Sequence, residues 1–317
     1  MLALRVASRV GALGLSLVAA SVAVFALMQV LPGDPARVAL GVNASEDAVQ
    51  QLREDFGLNR SLLVQYLDWA GGWLRADLGV SYVSRLPIGP QIGSRLTVSA
   101  WLIAAGMSVA VLAAVPLGMT MALWHRRRSG VALTALSQVG VAVPAFVAGI
   151  VLIAVFAVQL RWLPAGGWTP PQRDVGMFAR QLVLPALSLG LVQGAVLSRY
   201  VRSAVLDVMR EDYIRTAMAK GRSRWGALVR HGLRNAAIPV VTVLGLQLAT
   251  LLIGAVVVER VFVIPGLGSL LLDGVADRDL LLVQNVVMVL VLAVIVVNAI
   301  VDIAYLIIDP RVRQVAR

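Results

Sequence analysis

Hydrophobic and polar positions along this chain alternate in long blocks rather than in a fine period. Apolar runs close to the ~20 residues that cross about 30 Å of hydrocarbon recur near Val10 to Leu31, Val98 to Trp124, Val131 to Leu160, Leu182 to Ser198, Ile238 to Val258 and Leu280 to Ile308. The blocks predict an all-α integral membrane protein with six transmembrane helices. The first run follows Arg5 and Arg9, as a secretory signal would, but it exceeds the roughly 7 to 15 apolar residues of a signal core and reads as a span.

Polar residues concentrate between the fourth and fifth spans, from Arg199 to Ala237. Asp207, Glu211 and Asp212 open a helical pattern there. Leu206, Met209, Tyr213 and Ala217 fall at i, i+3, i+7 and i+11, and Lys220 and Gly221 close it, acids early and bases late as the helix dipole prefers. Gly221 is the expected stop. Ser223 is then placed to cap a second helix with Trp225, Leu228, Val229 and Leu233 on one face and Arg224, Arg230 and Arg234 at polar positions. The apolar faces of such a pair need a partner that is neither water nor bilayer core.

The interval 32–97 is long enough for structure of its own. Ser45, Glu46 and Asp47 predict a helix start before Val49, Leu52 and Phe56, with Gly57 as its end. A second amphipathic stretch from Ser61 carries Leu63, Tyr66, Leu67, Trp69, Trp73 and Leu74, suited to the lipid interface or to a partner surface. Arg161 to Gln181, with Pro164, Gly166, Gly167, Pro170 and Pro171, predicts rigid turns, and Phe262 to Gly268 a tight bend or short re-entrant turn. The organisation expected is residues 1–97 as a first span plus extracytoplasmic insertion, and 98–317 as a transmembrane domain carrying the loop 199–237.

Composition sharpens the class. The chain is 59% hydrophobic and 14% charged, with a mean hydropathy of +0.84, outside the range of soluble domains. Its formal charge is +11, yet 27 of the 28 basic residues are Arg and they flank the apolar runs, which points to topology rather than nucleic acid. The amino terminus, Arg126 to Arg128, 199–237 and the carboxyl tail hold 17 of those bases; the other side holds 11 in nearly twice the length, with most of the acids. The positive-inside rule then puts both termini in the cytoplasm of a multi-pass plasma (inner) membrane protein.

Most catalytic chemistry is missing. There is no Cys, so disulfides and thiolate sites are excluded. Lys220 is the lone lysine and is followed by Gly221, so no Gly-Lys-Ser/Thr phosphate loop exists and no ATP is expected on this chain. His125 and His231 lie far apart beside arginines and do not suggest a metal pair, and neither GxSxG nor HExxH occurs. Among span residues Asp302 is the most informative, because a charge at the bilayer centre costs about 2.5 to 3.5 kcal/mol on insertion scales. Asn298, Asp302, Tyr305 and Asp309 form one polar stripe, serving either interhelical packing or a solute path. Glu259, at the end of the fifth span, either pairs with Arg260 or lines an entrance. Gln193 and Gln247 read as interhelical glue.

The segment YIRTAMAKGRSRWGALVRHGLRNAAIPVVTVLG, Tyr213 to Gly245, closely resembles the cytoplasmic coupling segment of ABC importer permeases of the dipeptide/oligopeptide/nickel class. Arg215, Thr216 and Ala217 stand at the family's Glu-Ala-Ala places and Gly221 at its glycine, while His231, Leu233 and Arg234 replace Ile, Leu and Pro. LPGDPA (Leu31 to Ala36), ADLGVS (Ala76 to Ser81), VVVERVFVIPGLG (Val256 to Gly268) and VDIAYLIIDPRVR (Val301 to Arg313) are similar to landmarks of the subunit-B type, with Ile264 in place of a tryptophan. The resemblance implies a type I ABC importer permease fold and a non-enzymatic subunit forming half of a path for peptides or a related small solute. It also implies a second permease, two ATPases holding the ATP and Mg, and an extracytoplasmic binding protein. Tyr213, Arg215, Thr216, Ala217, Lys220 and Gly221 would couple to an ATPase, and Glu259, Asn298 and Asp302 would line the path or gate. Two other classes compete. A helix-turn-helix DNA binder would need a third helix and a free terminus, and an ion-coupled secondary transporter or channel would usually show broken helices in inverted repeats.

Overall fold

The computed structural model describes residues 2–30, 34–41 and 44–308, with side chains at 11, 13–30, 34–41 and 44–301. In chain order the helices are α1 (Leu2–Val30), α2 (Pro35–Leu40), α3 (Glu46–Asp55), α4 (Leu62–Leu74), α5 (Ile88–Leu123), α6 (Arg128–Ala142) and α7 (Ala145–Leu152). They continue with α8 (Val175–Val208), α9 (Asp212–Ala219), α10 (Arg224–Ala227), α11 (Leu233–Val261), α12 (Leu267–Ala276) and α13 (Leu280–Ile308). Among the described residues, extended pairing is confined to one isolated bridge between Val80 and Pro87. Among the described residues five helices are long and apolar enough to cross a membrane, or six spans if one bent pair counts as a span.

That bent pair is the third span, expected from Val131 to Leu160, in which α6 and α7 meet at 98°. Pro144 is the cause: it has no N–H to donate, and its ring pushes Val143 out of helix to φ −86°, ψ 120°. A π turn, Ile153–Gln159, then ends the segment. The fourth span is longer than expected. Helix α8 runs from its Asp174 cap, whose Oδ1 accepts from Met177 N–H at 2.9 Å, to Val208, ten residues beyond Ser198.

The chain forms two compact units, Met1–Val98 with Pro265–Ile295, and Ser99–Ile264 with Val296–Arg317. In the first, the helix start expected at Ser45 is present, Ser45 Oγ accepting from Ala48 N–H at 3.4 Å, and α3 buries Val49 and Leu52 against Ala36 of α2. Gly57 ends it at φ 68°. Ile88, Ile92, Leu267, Leu270, Leu282 and Val286 make this unit's larger core. Helix α4 is tied to α13 by an amide: Trp69 and Trp73, one turn apart, both donate their indole N–H to Asn285 Oδ1, at 3.1 and 2.8 Å. Asn285 Nδ2 donates to the Leu78 and Leu281 carbonyls, so this wholly buried side chain uses its full hydrogen-bonding capacity. Asp279 caps α13 through Leu282 N–H and also accepts from Ser81 Oγ.

In the second unit α5 and α8 approach through small residues, as membrane helices do where lipid offers no hydrophobic drive. A Cβ on Gly190 would lie 2.5 Å from Val109 Cβ, and one on Gly118 would lie 2.6 Å from Val201 Cβ. Ser137 Oγ donates to the Ala195 carbonyl at 2.9 Å, joining α6 to α8.

Candidate coupling site

The polar pair between α8 and α11 is shaped by two interruptions. After α8 the chain turns at Met209 and Arg210, and Glu211 is extended at φ −68°, ψ 143° before α9. Leu206, Met209, Tyr213 and Ala217 therefore do not share one helix, because the break resets the phase. Helix α9 buries Ile214 completely instead and leaves Tyr213 38% exposed. Ile214 packs with Val205, Val208, Ala227, Leu228 and Ala236, and Ala217 and Met218 rest on that cluster.

Gly221 stops α9 as expected. Its φ is 88°, its N–H donates to the Met218 carbonyl at 3.0 Å and Arg222 N–H to the Ala217 carbonyl at 3.2 Å, which is a Schellman closure. Ser223 Oγ then accepts from Gly226 N–H at 3.1 Å and starts α10. The second interruption is a π turn at Leu228–Gly232. It rotates the face, so Ala227, Leu228, Gly232 and Ala236 are buried, whereas Trp225, Val229 and Leu233, expected inside, are exposed. Gly232 sits where a Cβ would come within 2.8 Å of Val208 Cγ1.

Five of the expected coupling residues, Tyr213, Arg215, Thr216, Lys220 and Gly221, are exposed together on and after α9, and Ala217 is half-buried. Tyr213 Oη accepts from Asn235 Nδ2 at 2.8 Å, which ties α9 to α11. Thr216 Oγ1 donates to the Asp212 carbonyl at 2.9 Å, and Arg215 lies 3.7 Å from Asp212 with both side chains exposed. The cluster under Ile214 includes Ala114 and Met119 of α5, Leu197 and Val201 of α8 and Val240 of α11. The polar ridge of α9 therefore rests on a close-packed interior that draws residues from three long helices.

Of the expected path residues, the structure describes the side chains of Glu259 and Asn298. Glu259 is buried near the end of α11 and accepts from Ser99 Oγ of α5 at 2.5 Å. Asn298 is exposed on α13. The side chains of Asp302 and Tyr305, and all of Asp309, lie outside the described residues. Beside Glu259 the bend foreseen at Phe262 to Gly268 is present and tightly held. Gly167 N–H donates to the Phe262 carbonyl at 2.8 Å, Phe262 is wholly buried, and Gly149 would place a Cβ 2.8 Å from its ring. Pro144, Ile214 and Asn285 are the positions that the sequence pattern did not single out. The i, i+4 spacing of Trp69 and Trp73 is the one signal that pointed to Asn285, since buried indole N–H groups need an acceptor. Among the described residues no cluster of His, Asp and Glu is placed to hold a metal.

Apolar helices long enough to span a membrane, packed through small residues and carrying an anchored polar helix pair between two of them, fit a transport permease. Residues 114–314 match the family described as binding-protein-dependent transport system inner membrane component, and residues 1–97 match its N-terminal membrane component. The chain belongs to this family and is an ABC importer permease of the peptide class, a multi-pass inner-membrane protein. It is similar to the glutathione transport system permease protein GsiC of Escherichia coli O6:H1 (strain CFT073), 40% identical over 293 residues that cover 92% of this chain and 93% of the relative. The same protein of Salmonella choleraesuis (strain SC-B67) is 40% identical over 298 residues, 94% and 95% of the two chains. GsiC of Escherichia coli K12 is 40% identical over 293 residues.

Proposed function

We propose that this chain is one of two permease halves of an ATP-driven importer for short peptides of glutathione type, with both termini in the cytoplasm. The exposed ridge Tyr213, Arg215, Thr216 and Lys220, closed by Gly221 and anchored through Ile214, supports a docking surface for one of two ATPases that hold ATP and Mg. That anchored ridge is the observation that carries the reading, because the chain has no phosphate loop and needs a separate motor. The relatives named for glutathione transport support the peptide cargo. A second permease completes the path, and a binding protein delivers cargo to the side bearing residues 32–97. Glu259, Asn298 and Asp302 are proposed for the path or gate. Residues 1–97 are the first span with an extracytoplasmic insertion, and 98–317 the transmembrane domain that carries the coupling loop.

Reconstitution in vesicles with the partner permease, ATPases and binding protein tests the proposal. Labelled glutathione or dialanine should accumulate only with ATP and with both ATPases present. Uptake driven by an ion gradient without ATPases would overturn it.

A further inference from the structure

The first unit contains a cavity of about 850 Å³ that the import reading leaves unused, within the size range of small-molecule sites. Its walls include the aromatic rings of Phe25, Phe56, Trp69 and Tyr82. Six charged side chains also line it, and their pairing is informative. Arg53 bonds Asp34 at 3.0 Å and Arg60 bonds Asp68 at 3.0 Å, so those four neutralise one another. Arg75 and Asp77 remain, both at the exposed mouth of the cavity, and among the described residues neither has an ion-pair partner within bonding distance.

The turn after α4 fixes the backbone from which these two side chains project. Arg75 is the C-cap, Ala76 takes φ 57°, and Asp77 N–H donates to the Gly72 carbonyl at 2.9 Å. A Cβ on Gly72 would lie 2.5 Å from the Asp77 carbonyl oxygen, so the closure depends on that glycine. Asp77 is oriented by Gly79 N–H, which donates to its Oδ1 at 3.0 Å. A third polar group points to a ligand independently. Gln284 lines the same cavity, is 6% exposed, and its Nε2 has no hydrogen-bond partner. An unmade hydrogen bond of this kind is costly unless a ligand supplies the acceptor.

We infer that this cavity binds a small zwitterion, its anionic group on the Arg75 guanidinium with the Gln284 amide as a further donor, and its primary ammonium on the Asp77 carboxylate. A cavity with no net charge but two separated, unneutralised charges selects against single-charge ligands, since either alone leaves one protein charge unmatched. Two sources carry this chemistry: the backbone ends of a short peptide, and an ethanolamine phospholipid headgroup reaching in from the membrane. Only the peptide source rests on the proposed import function, and binding to the isolated chain can succeed or fail independently of uptake.

The test is calorimetric titration of the full-length chain in phosphatidylcholine nanodiscs with dialanine and with glycerophosphoethanolamine. Acetate, glycerol 3-phosphate and ethylamine serve as single-charge probes. At least one zwitterion should bind one-to-one and about tenfold tighter than every single-charge probe. Arg75→Gln and Asp77→Asn should each weaken it about tenfold, with Arg75→Lys partly restored. Dialanine alone binding assigns the site to cargo, glycerophosphoethanolamine alone assigns it to lipid, and both binding assigns it to the shared chemistry. If no zwitterion outbinds the single-charge probes on the wild-type chain, a comparison independent of any variant's folding, the inference is wrong. It is equally overturned if folded Arg75→Gln and Asp77→Asn variants bind as the wild type does.

Discussion

At the scale of single residues, backbone conformation separates positions chosen for ease from positions held under strain. Helices α3, α4, α9, α11 and α12 all close with the same pair of backbone hydrogen bonds around a residue of positive φ. Glycine fills that place in α3 and α9, but α4, α11 and α12 use Ala76, Val263 and Arg278. A side chain there costs roughly 1–2 kcal/mol, and a β-branched one is the least tolerated. Val263→Gly should therefore stabilise the chain by about 1 kcal/mol, read as a higher melting temperature. No rise would mean that the Val263 side chain contributes contacts worth the strain. Gly221 is the converse case. A Cβ there meets nothing within 4 Å, so Gly221→Val acts through φ alone. It should insert normally yet lose ATPase binding or ATP-driven uptake, while Gly221→Asn, which tolerates this conformation, should keep a good part of both. Copurification and transport at wild-type levels in Gly221→Val would refute the coupling role. Tyr82 provides a spectroscopic check in the first unit: burial, then the nearby Asp279 charge, raises its phenol from 10.0 to about 12. Because the folded value is the raised one, this group's contribution to stability is complete below pH 10.0 and is lost as pH rises through about 12. The difference in tyrosinate absorbance between wild type and Tyr82→Phe should appear near the upper value.

At the scale of elements, the amide of Asn285 links an insertion helix to a span. Asn285→Leu would orphan two indole N–H groups and the Leu78 carbonyl and should destabilise the first unit by on the order of 2–4 kcal/mol. In Trp69→Phe/Trp73→Phe the same substitution should cost clearly less, because the donors are gone. Additive losses in that cycle would rule out the shared network. The example also shows what was legible beforehand. Apolar blocks, caps and stops act within a few residues, so Ser45, Gly57, Gly221 and Ser223 could be read directly, as could the number of apolar segments. Asn285 and Ile214 could not, because their partners lie over 200 residues away in one case and across a broken helix in the other. The π turn at Leu228–Gly232 inserts an extra residue into a turn and shifts the buried face, which no period of 3.6 anticipates. Pro144 was visible, but in a long apolar run its missing donor was outweighed by hydropathy.

At the scale of the whole molecule, topology and assembly follow from where charge and exposed surface lie. Residues 32–97 and the Trp162 to Pro171 loop are the sizeable segments on the side proposed to face the binding protein. Trp73 is committed to Asn285 and Trp168 packs edge-on against Phe178 at 5.3 Å, whereas Trp162 and Leu63 are exposed. Cysteines placed at Leu63 and Trp162, in a chain with none of its own, should cross-link to the binding protein in whole cells without unfolding the permease. The same cysteines should react with a membrane-impermeant maleimide added from outside, while one placed at Lys220 should react only after the membrane is opened. Labelling of Lys220→Cys in intact cells would reverse the orientation and with it the assignment of the α9 ridge to a cytoplasmic motor. Labelling as expected, but with cross-links to lipid alone at both outer positions, would keep the orientation and move the binding protein's seat elsewhere on the outer face.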